Sequence, residues 1–168
     1  NEYARPILQL PSSLPKITDQ FINENFICIA PASVWFTKQF PADKWIEFIK
    51  KLPENLKIIM LGAPNDSELV DQISQECANY EIIDLCGQVS LIESAAVMQK
   101  AVMNYVNDSA PLHLASAVNA NVRAIFCSTV PDFGFGPLSD NGKVIQIEED
   151  LTCRPCGLHG KKECPLGH

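Results

Sequence analysis

The stretch VMNYVNDSAPLHLASAVNA, from Val102 to Ala120, carries the clearest structural signal in the sequence. Its apolar run stops at a polar cluster, and apolar residues at helical spacing follow, so it predicts a strand, a turn and a helix. We expect the side chain of Asp108 or Ser109 to cap this helix. A helix N-terminus at the carboxyl end of a strand favours a bound phosphate. Most such turns bind nothing, so the other elements must distinguish an anion site from a structural helix.

Apolar strands and helices alternate on both sides of this stretch. Strands are predicted at 26–30, 57–62, 81–87, 102–106, 122–127 and 143–147, and helices at about 42–51, 66–80, 91–101 and after 109. Nearly continuous apolar strands that alternate with helices are typical of a parallel sheet covered on both faces. The predicted fold class is therefore α/β, a Rossmann-like doubly wound parallel sheet with right-handed crossovers.

The totals are typical of one soluble globular domain. The chain has 168 residues, of which 46% are hydrophobic and 20% are charged, and such a length buries a core without disulfides. The formal net charge of −7 disfavours general nucleic-acid binding. No apolar run has the length of a membrane span, and the N-terminus lacks the layout of a secretory signal. We therefore expect a cytoplasmic protein without a transmembrane segment.

Composition divides the chain into three parts. Residues 1–25 contain Pro6, Pro11 and Pro15, and are predicted to be an interdomain linker with a lead-in helix at about 17–23. Residues 26–150 contain the predicted strands and helices of the Rossmann-like domain. Residues 151–168 form a tail that is rich in cysteine.

The seven cysteines fall into two groups. Four are predicted to be small buried apolar residues of strands and a helix: Cys28, Cys77, Cys86 and Cys127. The other three, Cys153, Cys156 and Cys164, lie in the tail, near His159 and His168. Their spacing is compatible with a structural zinc site of three thiolates and one imidazole. Loosely ordered thiols are the alternative that we prefer.

Polar residues follow several of the predicted strands, and the carboxyl ends of parallel strands share one edge of the sheet. At this edge Lys38 would supply a charge, Ser33 a hydroxyl and the turn 108–113 backbone N–H groups for a diphosphate. His113 lies four residues after Ser109, so it can face the same corner. Each residue also has a structural interpretation, such as a solvated loop lysine, and only their common placement favours a site.

A second set of polar residues follows the second and third predicted strands. Asp66 or Glu68 would accept hydrogen bonds from ribose hydroxyls, while Gln88 and Val89 would flank a flat ring. For Asp66 the structural alternative is a helix cap. The sequence contains neither GxxxxGK[ST] nor GxGxxG after the first strand, which argues against ATPase and dehydrogenase sites.

Several motifs together resemble glycosyltransferase family 9, the ADP-heptose:lipopolysaccharide heptosyltransferases and their relatives. They are KQFPADKW from Lys38 after a Pro-Ala-Ser turn, LGAPNDSE from Leu61, QVSL from Gln88, NDSAPLHLASAV from Asn107 and a late CRPC. The resemblance covers roughly residues 26 to 168. It implies the C-terminal, donor-binding domain of a GT-B enzyme, which has two Rossmann-like domains.

The same resemblance implies roles for individual residues. Lys38 and Ser33 would contact the diphosphate of an ADP-heptose or similar donor, together with the turn 108–113. That turn includes Asp108, Ser109, Ala110 and His113, and it would also reach the sugar. Asp66 or Glu68 and the Gln88-Val89 turn would hold adenosine. The family usually has Gly-Leu or Gly-Met where this chain has Ala110-Pro111, and Pro111 lacks one N–H donor, which bears on donor affinity.

The resemblance also implies an incomplete enzyme. An N-terminal acceptor domain with a general-base carboxylate would bind the lipid-linked or oligosaccharide acceptor, and we expect this fragment to have no catalytic residue and no turnover alone. No D-x-D motif is present, so we expect no required cofactor and metal-independent sugar transfer. We expect the enzyme in the cytoplasm, either free or peripheral at the inner membrane. The alternatives are a noncatalytic nucleotide-binding module of the same fold and a zinc-dependent interaction module centred on the tail.

Overall fold

The computed structural model describes residues 4–12 and 25–167. The strands are β1 (Phe26–Ala30), β2 (Lys57–Met60), β3 (Ile82–Asp84), β4 (Met103–Asn107), β5 (Val122–Phe126) and β6 (Gly142–Gln146). The α-helices are α1 (Ala42–Ile49), α2 (Ser67–Glu76), α3 (Leu91–Lys100) and α4 (Ala110–Ala117). These strands and helices lie where the sequence predicts them, with ends that shift by a few residues. The predicted lead-in helix at 17–23 lies outside the described residues.

All six strands form one parallel sheet in the order β3-β2-β1-β4-β5-β6. The chain moves outward from β1 to β3, crosses back to β4 beside β1, and then moves outward in the other direction. The Rossmann-like, doubly wound α/β prediction is therefore confirmed. The point where the order reverses, between β1 and β4, is where sheets of this kind usually bind ligands.

The central strand β1 shows why the sequence folds in this way. All its residues are buried, and successive side chains alternate between two apolar clusters on opposite faces of the sheet. Phe26 and Cys28 belong to the cluster that α3 and α4 cover, while Ile27 and Ile29 belong to the cluster beneath α1 and α2. Trp45 of α1 is fully buried and lies edge-on to Phe40, with ring centroids 5.1 Å apart. A strand buried on both faces needs a continuous apolar sequence, and FICIA provides it.

Three of the four predicted buried cysteines are buried, namely Cys28, Cys77 and Cys86. Cys127 differs, because it is half-buried and lies on the wall of a cavity of about 700 Å³. Burial raises its pKa to about 11. This cavity lies beside the β5–β6 end of the sheet, on the face that carries α1 and α2, where Ile145 is exposed. In the described part of the chain, none of the helices is both long enough and apolar enough for a membrane span.

Candidate functional site

The loops that follow β1 and β4 meet at the point where the strand order reverses. Lys38, in a short 3-10 helix at Phe36–Lys38, places its Nζ atom 2.7 Å from Oδ2 of Asp108, which follows β4. Both side chains are well shielded, with exposed fractions of 14% for Lys38 and 5% for Asp108. The sequence analysis selected both residues, and the structure brings them together. We call the region formed by residues 31–40 and 107–113 the first corner.

A third strand end contributes to the same ion pair. The hydroxyl of Thr129, which follows β5, donates a hydrogen bond of 2.6 Å to Oδ2 of Asp108. One carboxylate oxygen of Asp108 therefore receives a buried hydroxyl and an ammonium group at once. Charge-assisted hydrogen bonds of this kind are stronger than neutral ones, and the pair fixes the direction of the Lys38 side chain.

The capping prediction for α4 is wrong. Ser109 is the N-cap residue, but its side chain makes no capping bond, and its hydroxyl instead donates to the Asn107 carbonyl at 3.3 Å. Asp108 precedes the N-cap residue, and its Oδ2 atom accepts from Lys38 and Thr129 instead of from the helix. Ala110 and Pro111 begin the helix. Pro111 has no N–H and the Leu112 N–H donates to the Ser109 carbonyl at 3.0 Å, so the Ala110 N–H is the group that the missing side-chain cap leaves for an outside acceptor.

Asn107 holds the loop after β1 in place, a role that the sequence analysis missed. Its side chain is fully buried; Nδ2 donates to the Pro31 carbonyl at 2.7 Å, and Oδ1 accepts from the Phe40 N–H at 3.0 Å. The two ends of the loop that carries Ser33 and Lys38 are thus fixed to the same side chain. The only signal in the sequence is a polar residue at the end of a buried strand.

Ser33 lies within this loop and is half-buried. Its carbonyl accepts a hydrogen bond of 2.6 Å from Nε2 of Gln39, which closes the loop across its width. His113 is exposed on α4, and its ring lies edge-on to Phe135 at 6.2 Å between centroids. Ser33, Ser109, Ala110 and His113 thus lie on the two segments that carry the Lys38–Asp108 pair, while the ring of His113 contacts Phe135 outside them.

The loops after β2 and β3 form a second corner, residues 62–68 and 84–89. Gly87 has a φ of +67°, and a Cβ atom there would lie 2.7 Å from Pro64, so the two loops touch where glycine leaves room. Asp66 has a structural role, since its Oδ2 accepts from the Ala63 N–H at 2.7 Å. Glu68 is exposed in the first turn of α2.

Gln88 and Val89 complete the second corner. Nε2 of Gln88 donates to the Asp84 carbonyl at 2.7 Å, and the side chain remains exposed. Val89 is half-buried and packs against the apolar cluster beneath α3 and α4. These contacts support a firm turn with one polar and one apolar side chain at its surface.

The tail is bonded to the domain instead of being loose. The N–H of Cys156 donates to the Ser128 carbonyl at 2.8 Å. Arg154 donates through Nη2 to the Thr129 carbonyl at 2.7 Å. Thr37 and Lys161 are also hydrogen-bonded to each other, which joins the tail to the first corner.

Among the described residues, the zinc set that the cysteine spacing suggests is not assembled. Within 4–12 and 25–167, no three or more His, Cys, Asp or Glu side chains are grouped so that they could hold a metal ion. Cys153, Cys156 and Cys164 line the cavity together with Cys127. His159 is exposed, and His168 lies outside the described residues.

Comparison with known proteins adds the family context. The sequence model of glycosyltransferase family 9 (heptosyltransferase) matches residues 3–166. Lipopolysaccharide heptosyltransferase 3 of Escherichia coli is 28% identical over 123 residues, which cover 71% of this chain and 36% of that protein. The chain thus spans little more than a third of the length of this relative.

Solved structures are similar over most of the chain. The structure of E. coli ADP-heptose lps heptosyltransferase II matches with a TM-score of 0.71 and 25% identity, over 83% of this chain and 45% of the other. E. coli heptosyltransferase WaaC with ADP matches with a TM-score of 0.65 and 22% identity, over 82% of this chain and 39% of the other. At the latter identity the likeness concerns the fold.

Proposed function

The chain belongs to glycosyltransferase family 9, and we propose that it is the donor-binding domain of a heptosyltransferase. The complete enzyme would transfer heptose or a related sugar from an ADP-sugar to a lipopolysaccharide core acceptor. The observation that carries this proposal is the shielded Lys38–Asp108 pair at the reversal of strand order. That position, a cation and an uncapped helix N-terminus together suit a diphosphate.

The first corner would hold the diphosphate and the sugar. When the acceptor hydroxyl attacks the anomeric carbon, the bond to the nucleoside diphosphate breaks and negative charge develops on the leaving phosphate. Lys38 and the Ala110 N–H at the start of α4 would stabilise that charge in a fixed geometry. Asp108 would act by holding Lys38, Ser109 would be placed to accept a hydrogen bond from a sugar hydroxyl, and His113 lies one turn further along α4.

The second corner would hold the nucleoside. Between the two carboxylates that the sequence suggests for the ribose, Glu68 is the better candidate, because the Asp66 carboxylate already accepts from its own turn. Val89 offers an apolar surface to the base, and the exposed Gln88 offers an amide. This assignment predicts that changes at the second corner affect nucleoside ligands and leave pyrophosphate binding unchanged.

The acceptor and the general base would come from the remainder of the enzyme, since the relatives are much longer than this chain. We propose that the 168-residue chain binds donor but does not turn over alone. In the cell the complete enzyme would work in the cytoplasm, at the inner membrane where its acceptor lies. Sugar transfer by this chain with an added acceptor would disprove the proposal that the chain does not turn over alone.

Calorimetry tests the proposal. The chain should bind ADP and an ADP-sugar. It should bind the ADP-sugar more tightly than nucleoside diphosphates other than ADP. Lys38→Ala should weaken ADP binding about tenfold or more, since a charged hydrogen bond contributes roughly 1.5–3 kcal/mol. Lys44→Ala is the matched control, because Lys44 is an exposed lysine that pairs with Glu47 on α1. Equal ADP affinity in both variants would refute the diphosphate role of Lys38.

A further inference from the structure

We propose that the tail segment Gly160-Lys161 is a strap that positions Lys38 for the donor diphosphate. The strap is defined by these two residues, and it contacts the first corner through Thr37 and Lys38. Gly160 and Thr37 are accordingly positioning residues, which act on the ligand through Lys38. The inference rests on the proposed function, because it concerns how the same site is built.

Hydrogen bonds join the strap to the 3-10 turn that carries Lys38. The Thr37 N–H donates to the Lys161 carbonyl at 3.1 Å, and the Lys161 N–H donates to Oγ1 of Thr37 at 2.8 Å. The Thr37 hydroxyl also lies 3.3 Å from the Lys161 carbonyl and can donate to it. The Lys161 atoms in these bonds belong to the backbone, so the strap does not depend on the Lys161 side chain.

Gly160 packs directly on the side chain of Lys38. Its φ is +80°, and a Cβ atom built there would lie 3.0 Å from Oγ1 of Thr37, 3.1 Å from Cγ of Lys38 and 3.3 Å from Oγ of Ser128. The lysine stem therefore lies against bare backbone. A side chain at position 160 would push Lys38 or Thr37 aside in addition to straining the backbone.

The tail is also connected to Asp108, the other member of the ion pair, through Thr129. Arg154 donates to the Thr129 carbonyl at 2.7 Å, and the Thr129 hydroxyl donates to Asp108 at 2.6 Å. Tail residues thus contact Lys38 directly, and they contact Asp108 through Thr129. We infer that the tail is part of the donor site, and that nucleotide binding does not survive its removal intact.

A pair of glycine variants separates the strap from general backbone strain. Gly157 has a φ of +75° with no atom within 4 Å of the built Cβ, so Gly157→Ala carries the same kind of backbone strain without the contacts. By calorimetry on the 168-residue chain, Gly160→Ala should weaken ADP binding about tenfold, because a displaced Lys38 loses its charged hydrogen bond to the diphosphate. Gly157→Ala should bind ADP like the unchanged chain.

A ligand comparison distinguishes positioning from a loss of structure. Adenosine lacks phosphates, so Gly160→Ala should leave its affinity unchanged while ADP affinity falls. Thr37→Val, which keeps the shape of the side chain but removes the hydroxyl, should weaken ADP binding in the same direction. If the circular dichroism spectrum of Gly160→Ala differs from that of the unchanged chain, the ADP affinity of Thr37→Val tests the strap instead. An equal loss of adenosine and ADP affinity, or no loss of ADP affinity in either variant, would overturn the strap.

A double-mutant cycle separates this inference from the proposed function. In the Lys38→Ala background, Gly160→Ala should cause little further loss of ADP affinity, because the strap acts through Lys38. One outcome is that Lys38→Ala weakens ADP binding while Gly160→Ala causes the same further loss of ADP affinity in that background as in the unchanged chain. In that case the proposed function stands, and the proposal that the strap positions Lys38 is refuted. If Lys38→Ala leaves ADP binding unchanged, the proposed function fails, and the strap fails with it.

Discussion

The two corners at the carboxyl edge of the sheet are built from different kinds of contact. In the first corner, Asn107 reaches a carbonyl 76 positions away in sequence, and Thr129 reaches Asp108 across 21 positions. In the second corner, Asp66 bonds to a residue three positions away and Gln88 to one four positions away. A buried long-range network fixes Lys38 before any ligand arrives. In the second corner the side chains of Asp66 and Gln88 bond only within their own turns, and Gln88 and Glu68 are exposed.

This difference has an energetic consequence. Buried polar groups are costly to leave without a partner, so removing one member of the first network affects both stability and the geometry of Lys38. Exposed side chains of a local turn contribute little to stability. Variants of the first corner should therefore change stability and phosphate binding together, and variants of the second should change ligand binding alone.

The largest effect is expected from Asn107→Ala. It leaves the Phe40 N–H and the Pro31 carbonyl without their partner in a buried place. The free energy of unfolding should fall by about 2–4 kcal/mol, as is usual for disruption of a buried network. Urea denaturation measures this change. Asn55→Ala, at an exposed asparagine, is the control and should change stability by less than about 0.5 kcal/mol.

A smaller effect is expected from Thr129→Val, which preserves the shape of the side chain but removes the donor to Asp108. Stability should fall by roughly 1–2 kcal/mol, because one buried hydrogen bond is lost. ADP affinity should fall as well, since Lys38 loses part of its support. Thr152→Val, at an exposed threonine of the tail, should change neither quantity. An unchanged ADP affinity in Thr129→Val would show that the support of Asp108 does not matter to the ligand.

In the second corner, Glu68→Gln should weaken ADP binding by only about twofold to fivefold, because an exposed hydrogen bond contributes roughly 0.5–1 kcal/mol. Stability and pyrophosphate affinity should stay as they are. Asp71→Asn, an exposed change on the same helix, is the matched control. A loss of pyrophosphate affinity in Glu68→Gln would contradict the assignment of the second corner to the nucleoside.

The smallest effect is expected from Pro111→Leu. It restores one N–H at the start of α4, where Pro111 lies in the first turn. Titration with an ADP-sugar should show equal or slightly tighter binding. Complete loss of binding would indicate that the α4 N-terminus does not face the diphosphate.

Sequence reasoning succeeded wherever the information was local. The continuous apolar run FICIA and the helical spacing in LIESAAVMQKA predicted β1 and α3, because each pattern reports burial within one element. The parallel sheet followed from the order of those elements. Lys38 and Asp108 were both selected, since each follows a predicted strand and such ends share one edge.

The contacts between distant residues could not be read in the same way. Asn107 and Thr129 were passed over, because a polar residue after a strand reveals nothing about partners far away in sequence. The capping prediction for Asp108 failed for the same reason, since two distant residues occupy its carboxylate. The tail has no periodicity, so its attachment to Thr37 and Ser128 also escaped prediction.

The ADP affinity of Lys38→Ala beside that of Lys44→Ala is the measurement on which this account depends. Both variants remove one lysine, but only Lys38 lies in the shielded pair with Asp108. We predict that ADP binding weakens about tenfold or more in Lys38→Ala alone, in line with the loss of a charged hydrogen bond. Equal ADP affinities in the two variants would contradict the diphosphate site at the first corner.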